Sequence, residues 1–152
     1  MKFKDTHLMK YVIEEHSFSF GDLYFLENII VSEIHEGVLF DWEMVAIMIK
    51  CKEHFYGKTN ENLYFLSNRT NNYAIIPQNW LKFQETYQCF KAYMVVTYRK
   101  TAITNVKIEQ FFYDNSILCY GSLMEAFLYL NDKEHLSMVL EDSELVKIKS
   151  ER

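Results

Sequence analysis

Hydrophobic and polar residues alternate over the first part of the chain, which is typical of half-buried β-strands. Residues 11–36 contain three such segments, YVIEEHSFSF, LYFLEN and IIVSEIHEG, and Gly21-Asp22 supplies a turn between the first two. Short turns between strands favour antiparallel pairing. The pattern therefore predicts an antiparallel opening to a sheet.

Beyond residue 40 the pattern alternates between helical and strand periods. Asp41 is a helix-capping residue placed before an apolar helical face, and Gly57 is typical of a helix end. Strand, helix and strand at this spacing predict a parallel α/β arrangement with right-handed crossovers. The predicted elements are a strand at 63–67, a polar loop at 68–76, a helix opened by Pro77 and a strand at 92–98.

The second half continues the same alternation. Thr101 is placed to cap a third helix that runs to about residue 113, and residues 117–120 form a short apolar strand. Ser122 and Glu125 have the spacing of a capping box before the apolar run LMEAFLYL, and Asn131 is expected to end that helix.

These elements predict an α/β fold in a single domain. A central mixed β-sheet, with antiparallel N-terminal strands followed by β-α repeats, is expected to be covered by about four helices. Residues 1–10 are polar and predict a loose N-terminal arm, residues 11–131 form the domain, and residues 132–152 form a C-terminal tail that is expected to be partly helical.

The composition supports a folded domain and limits the classes of partner that the domain is expected to bind. The chain has 152 residues, of which 49% are hydrophobic and 16% aromatic, and this is enough to form a core. Its net charge of −5 disfavours binding to nucleic acid. No apolar run reaches the ~20 residues that a membrane span needs.

The three cysteines, Cys51, Cys89 and Cys119, are far apart and include no CxxC pair. Reduced, half-buried thiols are the expected state of such cysteines in the cytoplasm. The N-terminal residues lack the apolar core of a secretion signal. A cytoplasmic location is therefore expected.

The sequence predicts a binding site where polar residues follow the two central parallel strands. The carboxyl ends of such strands share one edge of the sheet, and ligands often bind there. An arginine at this edge has a planar fork suited to phosphate or carboxylate. An alternative is that the arginine and the asparagines only stabilise their own loop. The candidate residues are Asn68, Arg69, Thr70, Asn71, Tyr73, Arg99, Lys100 and Thr101.

Motifs of catalysis and cofactor binding are absent from the sequence. There is no GxSxG nucleophile elbow, no Walker loop and no GxGxxG, and four scattered glycines cannot form one. Glu33 and His35 could supply two metal ligands, but no third ligand lies nearby in the sequence. We therefore expect no cofactor, no metal and no enzymatic activity.

The order of elements resembles the STAS domain, the fold of anti-sigma-factor antagonists of the SpoIIAA type. The segments EIHEGVLFDWE, LYFLSNRTNNYAIIPQNW, YMVVTYRK and SLMEAFLYL are similar to small STAS-like proteins of Bacteroidetes-type bacteria. The resemblance implies a non-enzymatic binding or regulatory module. It also implies a phosphoacceptor at a strand–helix junction, which here holds Ser67 and Thr70 without the Asp-Ser and Ser-Gly pattern of that switch.

Three hypotheses of function follow. The first is a STAS-like module that recognises a protein partner or a small anionic ligand at the loop edge of the sheet. The alternative is a carrier of an apolar small molecule or lipid in a cavity between sheet and helices. The third is a small enzyme without a known motif. The opening strands could also leave an unpaired sheet edge, through which a homodimer could form.

Overall fold

A computed structural model describes residues 1–76, 78–79, 82, 90–98 and 117–133. The protein has an α/β fold with a mixed central sheet of six strands. Two short 3-10 helices, Phe3–Asp5 and His7–Tyr11, precede the sheet. The remaining elements are β1 (Glu14–Phe18), β2 (Gly21–Phe25), β3 (Ile29–Ile34), β4 (Leu39–Phe40), α1 (Trp42–Tyr56), β5 (Tyr64–Arg69), β6 (Ala74–Ile75), β7 (Ala92–Thr97), β8 (Ile117–Tyr120) and α2 (Leu123–Lys133).

The central sheet has the strand order β1-β2-β3-β5-β7-β8. Its first three strands pair antiparallel, and β3, β5, β7 and β8 pair parallel in sequence order. The predicted mixed sheet is therefore confirmed. Two α-helices are found among the described residues, fewer than the four or so predicted. Most of the predicted helix after Pro77, and all of the one from Thr101, lie outside the described part of the chain.

Strand β5 shows how the sheet separates two cores. Alternate residues point to opposite faces, so Phe65 lies in one apolar cluster while Tyr64 and Leu66 lie in the other. Helix α1 packs on the Phe65 face through Val45 and Met48. Helix α2 and the N-terminal residues pack on the opposite face. That second cluster includes Phe3, Leu8, Leu123, Ala126 and Phe127.

Helix α1 begins and ends at the predicted residues. The Asp41 carboxylate accepts a hydrogen bond from the Met44 amide at 3.0 Å, which satisfies one N–H of the first turn. Gly57 follows the helix with a φ of +89°, a conformation that favours glycine. The buried Lys52 ammonium donates to the carbonyls of Gly57 and Thr59 at 2.8 and 3.2 Å. Both ends of α1 are thus stabilised by side chains.

The N-terminal residues, for which the sequence predicts a loose arm, pack against the core in this structure. Phe3 is 0% exposed, and its ring packs 5.1 Å from the Tyr24 ring and 6.0 Å from the Phe127 ring. Leu8 is also buried in this cluster. Single apolar residues in a polar segment show no periodicity, so the sequence pattern does not reveal that a distant surface covers them.

The boundaries of two elements also differ from the prediction. Strand β5 continues through Asn68 and Arg69, which were expected to begin a loop, because both residues stay in register with β7. The last helix passes its expected end at Asn131 and continues to Lys133. Its start is as predicted, since the Ser122 hydroxyl accepts from the Glu125 amide at 3.1 Å. No helix in the described ranges is long and apolar enough to cross a membrane.

Candidate functional site

A cavity of about 50 Å³ lies on the α1 side of the sheet and is partly open to solvent. Strands β2, β3, β5 and β7 line one side, α1 lines another, and the short β4–β6 pair contributes Phe40 and Ile75. Most of the lining is apolar. The apolar side chains are Leu23, Phe25, Ile30, Ile34, Phe40, Val45, Met48, Ile49, Phe65, Ile75, Phe90 and Tyr93, the last with a phenolic hydroxyl.

Four further side chains on the cavity form what we call the polar corner: Ser32, Ser67, Arg69 and Tyr73. Ser32 and Ser67 are register partners across β3 and β5, near the carboxyl ends of both strands. The Arg69 Nε–H donates to the Ser67 hydroxyl at 3.3 Å, and the Ser67 and Tyr73 hydroxyls are 3.4 Å apart. Four side chains with hydrogen-bonding groups therefore lie together on one part of a mostly apolar wall.

Burial strengthens the electrostatic interactions made by the groups of the polar corner. Arg69 is only 6% exposed and Ser67 only 4%. An arginine side chain stays protonated in proteins, so its positive charge is permanent. Charges and dipoles interact more strongly when water is excluded. The corner therefore brings a buried, permanently charged guanidinium to a mostly apolar wall.

Two other charged side chains lie on the cavity wall. Asp41 is engaged as the cap of α1, and Lys52 is engaged by the carbonyls that follow α1. Burial lowers the pKa of the Lys52 ammonium from its ordinary value. Among the described lining residues, the positive groups Arg69 and Lys52 thus outnumber the single carboxylate of Asp41.

The opposite face of the same strands carries a second polar group, centred on Glu33. The Glu33 carboxylate accepts from the Phe3 amide at 2.7 Å and from the side-chain amide of Asn68. Asn68 also donates to the Met1 carbonyl and accepts from the Tyr98 hydroxyl at 2.8 Å. Burial raises the pKa of Glu33, although the bonds from Phe3 and Asn68 oppose that rise. This group joins the N-terminal residues to β3 and β5.

The structure divides the predicted site residues between these places. Arg69 and Tyr73 reach the cavity, as does Ser67, whereas Asn68 lies on the opposite face. Thr70 accepts from the Met1 amino group at 3.2 Å, and the Asn71 side chain donates to the Ile34 carbonyl at 2.9 Å. Thr70 and Asn71 therefore hold contacts with the N-terminus and with β3. The remaining candidates, Arg99, Lys100 and Thr101, lie outside the described residues.

Sequence reasoning missed Ser32 and Lys52 as cavity residues. Ser32 lies between Ile30 and Ile34 in the alternation of β3, and this places it on the cavity face. Lys52 follows Val45 by seven residues, the spacing of one helix face. Both are polar residues within an apolar periodicity, and this is the sequence signal that identifies them.

The two suggested metal ligands do not form a metal centre in the described part of the chain. Glu33 is buried among amide donors, while the His35 ring contacts the Asp22 carboxylate at 3.3 Å and the Ser19 carbonyl at 3.2 Å. Within the described ranges, no group of three or more His, Cys, Asp or Glu residues could hold a metal ion.

Comparison of the chain with known protein families, with curated proteins and with solved structures found no match. Function is therefore inferred from the chemistry of the cavity. Its wall offers apolar contact area over most of its surface and a small number of polar and charged side chains. Such a combination is typical of small-molecule sites, in which a few polar groups orient a largely apolar ligand.

Proposed function

We propose that this protein is a non-enzymatic binding module that takes an apolar small molecule into the cavity between the sheet and α1. The observation that supports this most strongly is the partly open apolar cavity, whose wall includes side chains from four strands, one helix and the β4–β6 pair. Burial of an apolar group there is favoured by about 25 cal/mol per Å² of surface removed from water.

The size of the cavity limits the ligand. Engineered apolar cavities of about 150 Å³ bind benzene, so a cavity of about 50 Å³ accepts a smaller group. Because the cavity is partly open, the rest of a longer molecule can extend outward. We therefore propose a short apolar molecule, or the apolar end of a longer one, as the ligand.

The resemblance to STAS domains supports a role in binding rather than catalysis. An antiparallel start followed by parallel β-strands with intervening helices is the element order on which that resemblance rests. Of the two expected phosphoacceptors, Ser67 is buried and bonded to Arg69, which makes it less accessible than that switch needs. We accordingly place the proposed function in the cavity and not in phosphorylation of the junction.

A cavity-filling variant tests this proposal. Val45 lines the cavity and is 8% exposed, whereas Ile47 on the same helix is 45% exposed. Val45→Phe is expected to occupy the cavity and abolish binding of hexanol, followed by amide chemical shifts in NMR titrations. Ile47→Phe adds a similar bulk outside the cavity and is expected to bind hexanol like the unmodified chain.

Two outcomes would contradict the proposed function. One is that the unmodified chain shows no saturable shifts with hexanol or with other short apolar probes. The other is that a folded Val45→Phe variant binds hexanol as tightly as Ile47→Phe does. Either result would mean that the cavity is only a packing defect of the folded core.

A further inference from the structure

The β4–β6 pair forms part of the cavity wall but is separate from the central sheet. Within the described residues, Leu39–Phe40 and Ala74–Ile75 pair only with each other. The side chains of Phe40 and Ile75 line the cavity, whereas Leu39 is 57% exposed. The inner surface of this small sheet therefore forms one side of the cavity, and its outer surface faces solvent.

The pairing of β4 with β6 is short, with two residues in each strand. The Ala74 amide donates to the Val38 carbonyl at 2.9 Å. The Ile76 amide donates to the Phe40 carbonyl at 3.4 Å, which is longer than the usual N–H···O distance. Two paired strands by themselves are marginally stable in water. Opening of the β4–β6 pair is therefore expected to need less free energy than unfolding of the central sheet.

The residues that lead into the pair provide an anchored base and a hinge. The Asn72 amide donates to the Glu36 carboxylate at 2.6 Å, and the Asn71 side chain donates to the Ile34 carbonyl at the end of β3. Gly37, which lies just before β4, has a φ of +78°. Hinges are a few residues near the ends of elements that absorb changes in φ and ψ. Movement of the pair is therefore expected to occur beyond Gly37.

We infer that the β4–β6 pair is a lid, which opens to admit a ligand to the cavity and closes over it through Phe40 and Ile75. The inference rests on the proposed function, because it describes how the ligand of the same cavity enters. Contact of a bound ligand with these two side chains removes further apolar surface from water when the lid is closed. A bound ligand is therefore expected to hold the lid closed.

Hydrogen exchange followed by NMR tests whether the lid opens separately from the rest of the chain. The Ala74 amide is bonded across the lid, whereas Leu66 lies in β5, which is paired on both sides. Without ligand, the Ala74 amide is expected to be about 100-fold or more less protected than the Leu66 amide, because a local opening exposes it. With hexanol at about ten times its Kd, exchange of the Ala74 amide is expected to slow about tenfold.

Two glycine variants provide a matched comparison. Gly37→Ala places a Cβ at a φ that alanine disfavours, and opening of the lid relieves this strain. Exchange of the Ala74 amide is therefore expected to become about fivefold to tenfold faster. Gly57→Ala introduces the same kind of strain after α1, at a φ of +89°, and neither Cβ would meet an atom within 4 Å. Gly57→Ala is expected to leave exchange of the Ala74 amide unchanged.

Three results would overturn the inference. Equal protection of the Ala74 and Leu66 amides would mean that the pair opens only when the whole chain unfolds. Equal acceleration of Ala74 exchange by both glycine variants would mean that Gly37 is not a hinge of a separate lid. Saturable binding of hexanol that leaves Ala74 exchange unchanged would reject the lid and keep the proposed function.

Failure of the proposed function is recognised separately. If neither hexanol nor another short apolar probe binds, the proposed function fails and the lid has no ligand to admit. The comparison of the Ala74 and Leu66 amides and the hexanol experiment use the unmodified chain, so the test does not depend on whether Gly37→Ala folds.

Discussion

At the scale of single residues, neighbours across the sheet determine what a side chain does. Gly21 was expected in a turn, but it is the first residue of β2 and lies opposite Ile34 of β3. A Cβ at this position would lie 2.6 Å from the Glu33 carbonyl oxygen and 3.0 Å from the Ile34 Cα. Both are backbone atoms, so no side-chain rotation can relieve the overlap. The close approach of β2 and β3 therefore explains why this position holds a residue without a Cβ.

Gly21→Ala is expected to destabilise the protein by about 1–3 kcal/mol, the usual cost of overpacking a well-packed site. The matched control is Gly121→Ala, whose added Cβ would meet its nearest neighbour, a Glu125 carboxylate oxygen, at an ordinary 3.7 Å. The control is expected to change stability by no more than about 0.5 kcal/mol. Urea unfolding of both variants measures the difference, and equal effects would contradict the predicted overlap.

Glu33 makes the free energy of unfolding depend on pH with a sign opposite to that of most paired carboxylates. Burial raises its pKa above the ordinary 4.5, so the folded state holds the proton more tightly than the unfolded state does. Its contribution to stability is therefore fully present below the ordinary pKa. That contribution is lost as the pH rises from the ordinary pKa through the raised one.

Glu33→Gln removes this titration and keeps an oxygen that can accept from Phe3 and Asn68. The free energy of unfolding of the unmodified chain, relative to that of the variant, is expected to fall as the pH rises through this interval. Urea unfolding between about pH 4 and pH 8 measures it. Glu27→Gln, at an exposed turn position, is the control. A difference that stays constant or rises with pH would contradict the prediction.

At the scale of elements, α1 shows the clearest agreement between local sequence and structure. Its first and last turns carry their own stabilising groups, since Asp41 caps the start and Gly57 allows the chain to leave the helix. These signals lie within a few residues of the ends that they determine, so they could be predicted without knowledge of the fold.

Asp41→Ala is expected to lower stability by about 0.5–2 kcal/mol, because the Met44 amide loses its acceptor. Asp41→Asn keeps an acceptor oxygen and is expected to retain most of the stability. Thermal or urea unfolding of the two variants compares them. If the asparagine variant is destabilised as much as the alanine variant, the negative charge and not the hydrogen bond is what matters at this helix end.

Strand β5 shows the opposite case, in which residues far away in the sequence determine where an element ends. Its last two residues, Asn68 and Arg69, are polar and were predicted to lie in a loop. They remain in the strand because β7 pairs with them and because Asn68 is bonded to Glu33 of β3. A local pattern cannot reveal polar residues that are satisfied by partners far away in sequence.

At the scale of the whole molecule, the N-terminal residues close one core. Phe3 lies between Tyr24 of β2 and Phe127 of α2, and its amide is bonded to Glu33 of β3. The first residues of the chain thereby contact elements from both halves of the sequence. Their removal or disruption should affect the stability of the entire domain.

Phe3→Ala is expected to cost about 3–5 kcal/mol, as large-to-small changes of buried aromatic residues do. Lys4→Ala, at the adjacent exposed residue, is expected to stay within about 0.5 kcal/mol. Both are measured by urea unfolding. A loss from Phe3→Ala as small as that from Lys4→Ala would mean that the N-terminal residues do not contribute to the core in solution.

The edge strand of the sheet affects whether two copies of the chain can pair. Strand β1 is at one edge of the six-stranded sheet, and it carries Glu14 and Glu15. Charged residues on an edge strand disfavour pairing with another edge. These glutamates argue against a dimer formed by pairing of two β1 strands. A homodimer of the chain stays a prediction, which sedimentation or light scattering can check.

The sequence by itself determined the class of fold, the succession of the main strands along the chain and the ends of α1, because alternation, helical periodicity and capping are local properties. Only the tertiary structure decided where the polar residues of the predicted site lie. Neighbouring residues of β5 point to opposite faces, so Arg69 reaches the cavity with Ser67 while Asn68 joins Glu33 and the N-terminal residues. The cavity itself arises from the packing of segments that are distant in sequence, which no local pattern encodes.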